Sequence, residues 1–210
     1  MKTDMVILAD GDFPSHPLPL ETLRNVSRII ACDGAAKSLL AWGREPDWVV
    51  GDLDSLDLDF RQKLASRIIH VSEQETNDLS KAFRFAMQQI GKEEYLTILG
   101  ATGKREDHTL GNLSLLADYA TIHPNIRMLT DTGIFFPAVQ SGSYPSRPGQ
   151  SISIFNPSGK PVRLTADGLK YPIRDLELSR WWTATLNTAL ENSFSLLFES
   201  DVPLLLFTAY

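Results

Sequence analysis

The chain has a single cysteine, Cys32, among its 210 residues. That excludes an intrachain disulfide and suits a reducing compartment. Cys32 ends the apolar run Arg28-Ile29-Ile30-Ala31-Cys32, so it reads as a buried structural thiol rather than a nucleophile. Histidine is scarce as well. There are four, His16, His70, His108 and His123, which gives a hydrolytic centre built from several imidazoles little to draw on. Basic charge is outnumbered, and the formal net charge is −6. This weighs against a nucleic-acid partner, because binding a phosphate backbone asks for a basic face. A nucleotide needs only a local cation or a metal and stays open. No apolar run approaches membrane-spanning length, and the one after Met1-Lys2-Thr3-Asp4 is too short for a signal peptide. The expectation is a soluble cytoplasmic protein with neither a membrane nor a nucleic acid as partner. No internal repeat and no low-complexity tract is visible.

What is present is an ordinary apolar fraction, 43%, enough for a sizeable core. The length suits one large or two small domains. In the first two thirds, short apolar runs alternate with helical patterns. The runs are Met5 to Ala9, Arg28 to Cys32, Trp48 to Val50, Arg67 to Val71, Tyr95 to Leu99 and Ile126 to Leu129. The clearest helical pattern is Asp78 to Ile90, with Leu79, Ala82, Phe83, Ala86, Met87 and Ile90 on one face. A second runs from Asp107 to Ala120, with Leu110, Leu113, Leu116, Ala117 and Ala120 aligned. Strands alternating with helices imply an α/β, doubly wound, mostly parallel sheet. After Thr130 the rhythm changes. Proline and glycine punctuate the short runs Ile134 to Val139, Ser151 to Phe155, Val162 to Thr165, Phe194 to Glu199 and Leu204 to Thr208. This pattern indicates an antiparallel β-sandwich or barrel. Ser151 to Phe155 alternates as a half-buried strand should. The chain therefore divides into 1–130, an α/β domain, and 131–210, a β-rich domain.

The loops after the predicted strands carry the chemistry. Gly51-Asp52-Leu53-Asp54-Ser55 puts two carboxylates at a strand tip, on the edge where open α/β sheets bind ligands. Such a pair suits a hard cation such as Mg²⁺, which commonly accompanies a phosphorylated substrate. Taken alone, the pentapeptide is equally a turn closed by Asp and Ser side chains. The repetition along the chain argues otherwise. The other strands lead into Asp10-Gly11-Asp12, Asp33-Gly34-Ala35-Ala36, Glu73-Gln74-Glu75-Thr76-Asn77-Asp78 and Gly100-Ala101-Thr102-Gly103-Lys104-Arg105-Glu106-Asp107-His108. Parallel strands bring all of these to one edge. For Asp33, a helix cap and a ligand contact fit equally. Asp78 begins a helix, where the macrodipole favours it. With Gln74, Asn77 and Lys81 nearby, it makes a phosphate and metal site; for Lys81 a surface ion pair fits as well. Gly103 belongs to a glycine-rich loop that lacks P-loop spacing yet lets backbone N–H groups approach a phosphate. Arg105 suits bidentate phosphate contact. His108 fits either an acid–base group or a structural residue.

Taken together these segments resemble the thiamine pyrophosphokinase family. The resemblance rests on Ala31-Cys32-Asp33-Gly34-Ala35-Ala36, Gly51 to Ser55, Gln74 to Lys81, Leu99-Gly100 through Arg105-Glu106-Asp107-His108, and Gly168-Leu169-Lys170-Tyr171-Pro172. It spans nearly the whole chain in order. It implies transfer of a pyrophosphoryl group from ATP to the thiamine hydroxyl, giving AMP and thiamine diphosphate. It also implies an α/β catalytic domain, a C-terminal β-sandwich that binds thiamine, and a homodimer with sites between subunits. By the family pattern Asp52, Asp54 and Asp78 hold Mg²⁺ and the diphosphate. Asp33, Gln74, Arg105 and Asp107 are further site residues. The chain departs from the pattern at Ala35, at Asn77 and at Leu186-Asn187. Asn187, Lys170-Tyr171, Trp181 and Trp182 are candidates for facing thiamine, since an aromatic ring can stack on a flat cationic one. Trp181 and Trp182 would point to opposite faces of a strand, so at most one of them serves.

In the mechanism this implies, charge neutralisation and alignment dominate. Arg105 or Lys81 neutralises the transition state, and Asp33 or Asp54 takes the hydroxyl proton. Two rivals use the same residues. A metal-dependent phosphoesterase would direct water with His108. A non-catalytic nucleotide-binding module would have no use for so many carboxylates beside a phosphate.

Overall fold

The computed structural model describes residues 2–54 and 56–210, so Ser55 of the acidic segment lies outside the described residues. The chain forms two compact units, Met1–Leu115 with Met128–Asp131, and Leu116–Arg127 with Thr132–Tyr210.

The first unit contains β1 (Met5–Leu8), β2 (Ile29–Cys32), β3 (Trp48–Gly51), β4 (Ile68–His70) and β5 (Leu96–Leu99), with helices α1 (Pro17–Asn25), α2 (Ala35–Ala41), α3 (Leu58–Lys63) and α4 (Asp78–Ala86). The boundary between the units runs through helix α5 (Glu106–Ile122) and strand β6 (Ile126–Leu129), which each contribute residues to both. The strand order is β6-β5-β1-β2-β3-β4. β1 pairs in parallel with β2 on one side and β5 on the other, and β2, β3 and β4 continue in parallel. The sheet thus winds outward in both directions from β1, as expected. Every residue of β1, β2 and β5 is buried, because helices cover both faces of such a sheet. α4 packs on β1, β2 and β3 through Leu79, Ala82, Phe83 and Ala86.

Two helices differ from their predicted lengths. α4 stops at Ala86 rather than Ile90. There Gln88 and Gln89 donate to the carbonyls of Phe85 and Ala86, three residues back, and tighten the turn. α5 is longer than predicted, and it buries Leu116, Ala117, Tyr119 and Ala120. Leu110, expected on that buried face, is 61% exposed.

The second unit is an antiparallel sandwich. One layer is β12 (Ala184–Thr188), β9 (Ser151–Phe155), β14 (Leu204–Ala209) and β7 (Gly133–Ala138), in that order. The other is β11 (Ile173–Leu178), β10 (Val162–Asp167), β13 (Ser193–Phe198) and β8 (Gly142–Pro145). Ile152, Ile154, Leu164, Phe194, Leu196 and Leu206 fill the core between them. β9 is more covered than its alternation suggested. Ser153 is buried, and its hydroxyl accepts a hydrogen bond from the Leu186 amide. Trp181 and Trp182 lie in a turn rather than a strand, so the opposite-faces argument does not apply to them.

Candidate active site

Because the strands of the first unit run parallel, their C-terminal loops gather on one edge. The loop after β1 docks against the loop after β5. Gly11 N–H donates to the Gly100 carbonyl at 2.6 Å and Asp12 N–H to the Thr102 carbonyl at 2.9 Å. A side chain at Gly11 would run into those same two carbonyl oxygens, so only glycine permits the approach. Gly103 and Lys104 adopt left-handed backbone, φ 77° and 53°. This turns the Lys104 ammonium onto Asp10, where it donates to Oδ1 at 3.0 Å and to the backbone carbonyl at 3.1 Å.

The acidic centre forms around the tip of β3. A Cβ at Gly51 would stand 2.9 Å from the Asp33 Cβ and 3.4 Å from Asp78 Oδ1, so its lack of a side chain lets these two acids close in. Leu53, buried and left-handed at φ 72°, reverses the chain. The Asp54 amide then donates to Asp52 Oδ1 at 3.2 Å. Asp52 Oδ2 accepts from Gln74 Nε2 at 3.1 Å and lies 3.5 Å from Lys81 Nζ. The Lys81 ammonium also donates to Asp78 Oδ1 at 3.0 Å. Lys81 is only 3% exposed, so it is no surface ion pair but a buried cation shared by two carboxylates.

The titration behaviour follows. The Asp54 amide, helped by Gln74 and Lys81, holds the Asp52 carboxyl below its ordinary range against partial burial. Burial pushes Asp78 up, and Asp52 and Asp33 add to this, so Lys81 only partly offsets it. Burial alone would lower Lys81, but Asp78 and Asp52 overrule it and raise its pKa. Beneath this centre the Cys32 thiol is pushed up, first by burial and then by Asp78, Asp10 and Asp33, as suits a structural thiol. Asp52 and Asp78 thus share one ammonium, which leaves a local excess of negative charge.

The loop before α4 is held by Glu73. Its carboxylate accepts from the Thr76 hydroxyl, the Glu75 and Thr76 amides at 2.8 and 3.1 Å, and Arg84 Nη2 at 2.5 Å. The Thr76 hydroxyl first, then Arg84 and the amides, hold Glu73 at about 2. A carboxyl whose pKa falls on folding stabilises the fold above its unfolded value. That contribution is present above about pH 4.5 and is lost as the pH falls toward about 2. Glu73→Gln is therefore expected to flatten the acid limb of the stability curve between those values. Denaturant midpoints measured against pH check this, and an unchanged acid limb would contradict it.

Asn77 caps α4, accepting from the Ser80 amide at 2.9 Å, and its Nδ2 donates to Asn112 Oδ1 at 3.3 Å. Asn112 Nδ2 in turn donates to the Ala101 carbonyl at 2.8 Å. Arg105 forms a two-pronged pair with Asp107, Nε to Oδ1 at 3.0 Å and Nη2 to Oδ2 at 2.5 Å. The His108 amide also donates to Asp107, and all three residues are exposed.

The structure therefore gathers Asp33, Asp52, Asp78, Gln74 and Lys81 into one cluster, with Asn77 at its margin. Gly103, Arg105, Asp107 and His108 occupy the loop after β5 and the start of α5. Asp54 is exposed and enters the cluster through its amide rather than its carboxylate. Asn187, expected to touch a ligand, is buried. Its amide is engaged with the backbone of Tyr171, at 3.1 Å to N and 2.8 Å to O, and with the Thr188 amide. Its observed work is to hold the Tyr171 loop. Tyr171 is 59% exposed and carries Lys170 Nζ 5.6 Å from its ring centre. Sequence reasoning named Asp10, Glu73 and Lys104 only as members of the edge loops, without roles, and did not name Asn112. The one signal for Asn112 was an amide inside a helix, where Asn is otherwise unfavourable.

Among the described residues no three acid, imidazole or thiol groups form a ready metal cage. Mg²⁺ binds through one or two carboxylates plus substrate phosphates, and Asp52 and Asp78 stand side by side on Lys81 as carboxylates of that kind. The donors at hand are oxygens, and the negative excess around Asp78 calls for a cation.

Residues 20–129 match the family "Thiamin pyrophosphokinase, catalytic domain", and residues 133–207 match "Thiamin pyrophosphokinase, substrate-binding domain". The chain belongs to the thiamine pyrophosphokinase family, as the sequence resemblance indicated. It is 29% identical over 172 residues to a thiamine pyrophosphokinase of Bacillus subtilis, covering 78% of each chain. Its fold matches a thiamin pyrophosphokinase family protein from Enterococcus faecalis with a TM-score of 0.80, at 21% identity over 99% of both chains. Thiamin pyrophosphokinase from Candida albicans matches with the same TM-score, at 18% identity over 98% of this chain and 89% of that one. No helix among the described residues is long and apolar enough to cross a membrane.

Proposed function

We propose that this enzyme transfers the pyrophosphoryl group of ATP to the hydroxyl of thiamine. The thiamine oxygen bonds to the β-phosphorus, the bond from that phosphorus to the AMP oxygen breaks, and thiamine diphosphate and AMP result. The observation that carries the reading is the Lys81 ammonium shared by Asp52 and Asp78 beside Gly51, within a chain of this family. Asp52, Asp54 and Asp78 would hold Mg²⁺, which would supply charge neutralisation at the phosphates. Gln74 orients Asp52. Lys81 adds fixed positive charge where negative charge builds up. Gly103, Asn77, Asp107 and His108 border the nucleotide, and Arg105 neutralises the transferred group. Asp33 or Asp54 accepts the thiamine proton. In this reading 1–130 serves ATP and metal, and 131–210 serves thiamine through Tyr171, with Asn187 as its support.

We further propose that the enzyme acts as a homodimer in the cytoplasm. The dimer rests on family membership, and a monomeric mass in sedimentation would remove it. Incubation with ATP, Mg²⁺ and thiamine should yield AMP and thiamine diphosphate. Inorganic phosphate instead would indicate an esterase, and no turnover a binding module.

The two parts should answer differently to substitution. Arg105→Ala should mainly lower kcat. Tyr171→Ala should mainly raise the KM for thiamine, several-fold for a lost ring–cation contact of about 1 kcal/mol. Steady-state kinetics with each substrate varied would decide. An unchanged thiamine KM would make Tyr171 a packing residue and direct attention to Trp181 and Trp182.

A further inference from the structure

Two helices and one loop of the acidic edge are tied by one chain of amide hydrogen bonds. The Ser80 N–H donates to Asn77 Oδ1, Asn77 Nδ2 donates to Asn112 Oδ1, and Asn112 Nδ2 donates to the Ala101 carbonyl. The chain has a forced direction. Its far end is a carbonyl, which only an N–H can meet, and its near end is a backbone N–H, which only an oxygen can meet. Both side-chain amides must therefore be oriented as observed, and each bond polarises the next. The elements joined are the N-terminus of α4, which carries Asp78 and Lys81, the interior of α5, and the glycine-rich loop after β5. That same loop is pinned to the strand β1 edge by Lys104 and Asp10.

We infer that Asn112 is a positioning residue for the transfer reaction. Through Asn77 and Ala101 it fixes the metal-side helix and the phosphate-side loop at one spacing. The inference rests on the reading of this edge as the ATP and metal site. The side chain of Asn112 touches neither the carboxylates nor Lys81. It acts on where they stand relative to the loop that follows β5. For in-line transfer that spacing matters, because displacements near 1 Å can cost on the order of 10²-fold in rate.

The two functions of Asn77 can be separated. Asn77→Thr keeps an oxygen that caps α4 but has no N–H to reach Asn112. Asn112→Asp keeps the acceptor for Asn77 and loses the donor to Ala101. Each is expected to lower kcat by about tenfold with a smaller change in either KM, as misalignment short of a full 1 Å shift would. The thermal midpoint of Asn77→Thr should stay close to that of the unsubstituted chain. Asn77→Thr combined with Asn112→Asp should lose no more than either alone, because both break one device. In hydrogen exchange, Mg·ATP should protect the amides of 78–81 and of 101–104 together in the unsubstituted chain, and unequally in Asn77→Thr. If Asn77→Thr keeps full kcat, or if the losses multiply, the coupling role is overturned. Asp52→Asn run beside them separates the two levels. Full activity in Asp52→Asn overturns the site reading and the inference with it. Loss there with normal Asn77→Thr and Asn112→Asp overturns the inference alone.

Discussion

Asp52→Asn is expected to lower turnover by about 10²-fold or more at limiting Mg²⁺, with the fold intact. Asparagine matches aspartate in shape and can still accept from the Asp54 amide, which holds Asp52 in place at 3.2 Å. What it removes is charge. Asp33 and Asp78 close in on Gly51, and Lys81 is the cation shared by Asp52 and Asp78. Removing one negative charge there weakens the hold on a divalent ion, while the Asp54 amide still has an oxygen to meet. Stability should therefore change little while catalysis collapses. Asp54→Asn is expected to act in the same direction, because its exposed carboxylate remains available to a metal even though only its amide bonds within the cluster. Rates measured against Mg²⁺ concentration, with circular dichroism as the control, provide the check. Near-normal activity at limiting Mg²⁺ would end the metal assignment.

Lys81→Met should have the opposite balance, a large effect on stability as well as on rate. The side chain of Lys81 is 2% exposed, against 19% for Asp52 and 33% for Asp78. Methionine fills the same space but leaves two carboxylates facing each other. Breaking a buried pair costs about 3–5 kcal/mol, and the partly wet carboxylates here bring the expectation down to about 2–3 kcal/mol. The sign with pH is fixed by the raised pKa of Lys81. Its stabilisation is fully present below the ordinary 10.5 and is lost as the pH climbs through the folded value. Lys81→Met should accordingly lose the alkaline limb above about 10.5. Added Mg²⁺ should restore part of the lost stability, because it binds the folded form alone. Urea midpoints with and without Mg²⁺ measure both effects. A midpoint equal to that of the unsubstituted chain would show that the ammonium is not the cation holding these acids together.

The parallel sheet was readable because strands buried on both faces are continuous apolar runs, and Met5-Val6-Ile7-Leu8 and Ile29-Ile30-Ala31-Cys32 are such runs. Three strands were not foreseen, β8, β11 and β12, and all three lie at sheet edges. Edge strands carry charge and polar groups as protection against mispairing. Ile173-Arg174-Asp175-Leu176-Glu177-Leu178 accordingly has no long apolar stretch to announce it. In the acidic cluster, the placing of Asp52, Asp78 and Lys81 together was legible because it follows from local spacing, strand tip and helix start. Glu73 and Asn112 were not. Glu73 looks like any loop acid until its four hydrogen-bond donors are known, and Asn112 acts across 35 residues on Asn77. The hydrogen bonds of Asn187 to the Tyr171 backbone were not legible, since nothing in one sequence separates an amide that touches a ligand from one that braces a loop.

The central position of β1 has a consequence for the newborn chain. Its partner on one side, β2, follows soon after, but β5 and the Lys104 that grips Asp10 lie far downstream, the latter 94 residues away. At about 5–20 residues per second on the ribosome, roughly 5–20 s separate the emergence of the two. During that interval Met5-Val6-Ile7-Leu8 presents an unpaired, wholly apolar strand edge, the surface most prone to mispairing. The loop after β1 likewise has no carbonyls of Gly100 and Thr102 to dock on. The acidic edge is therefore among the last parts of the first unit to take shape during synthesis. Slower translation between β2 and β5 lengthens the time in which the chain depends on chaperones.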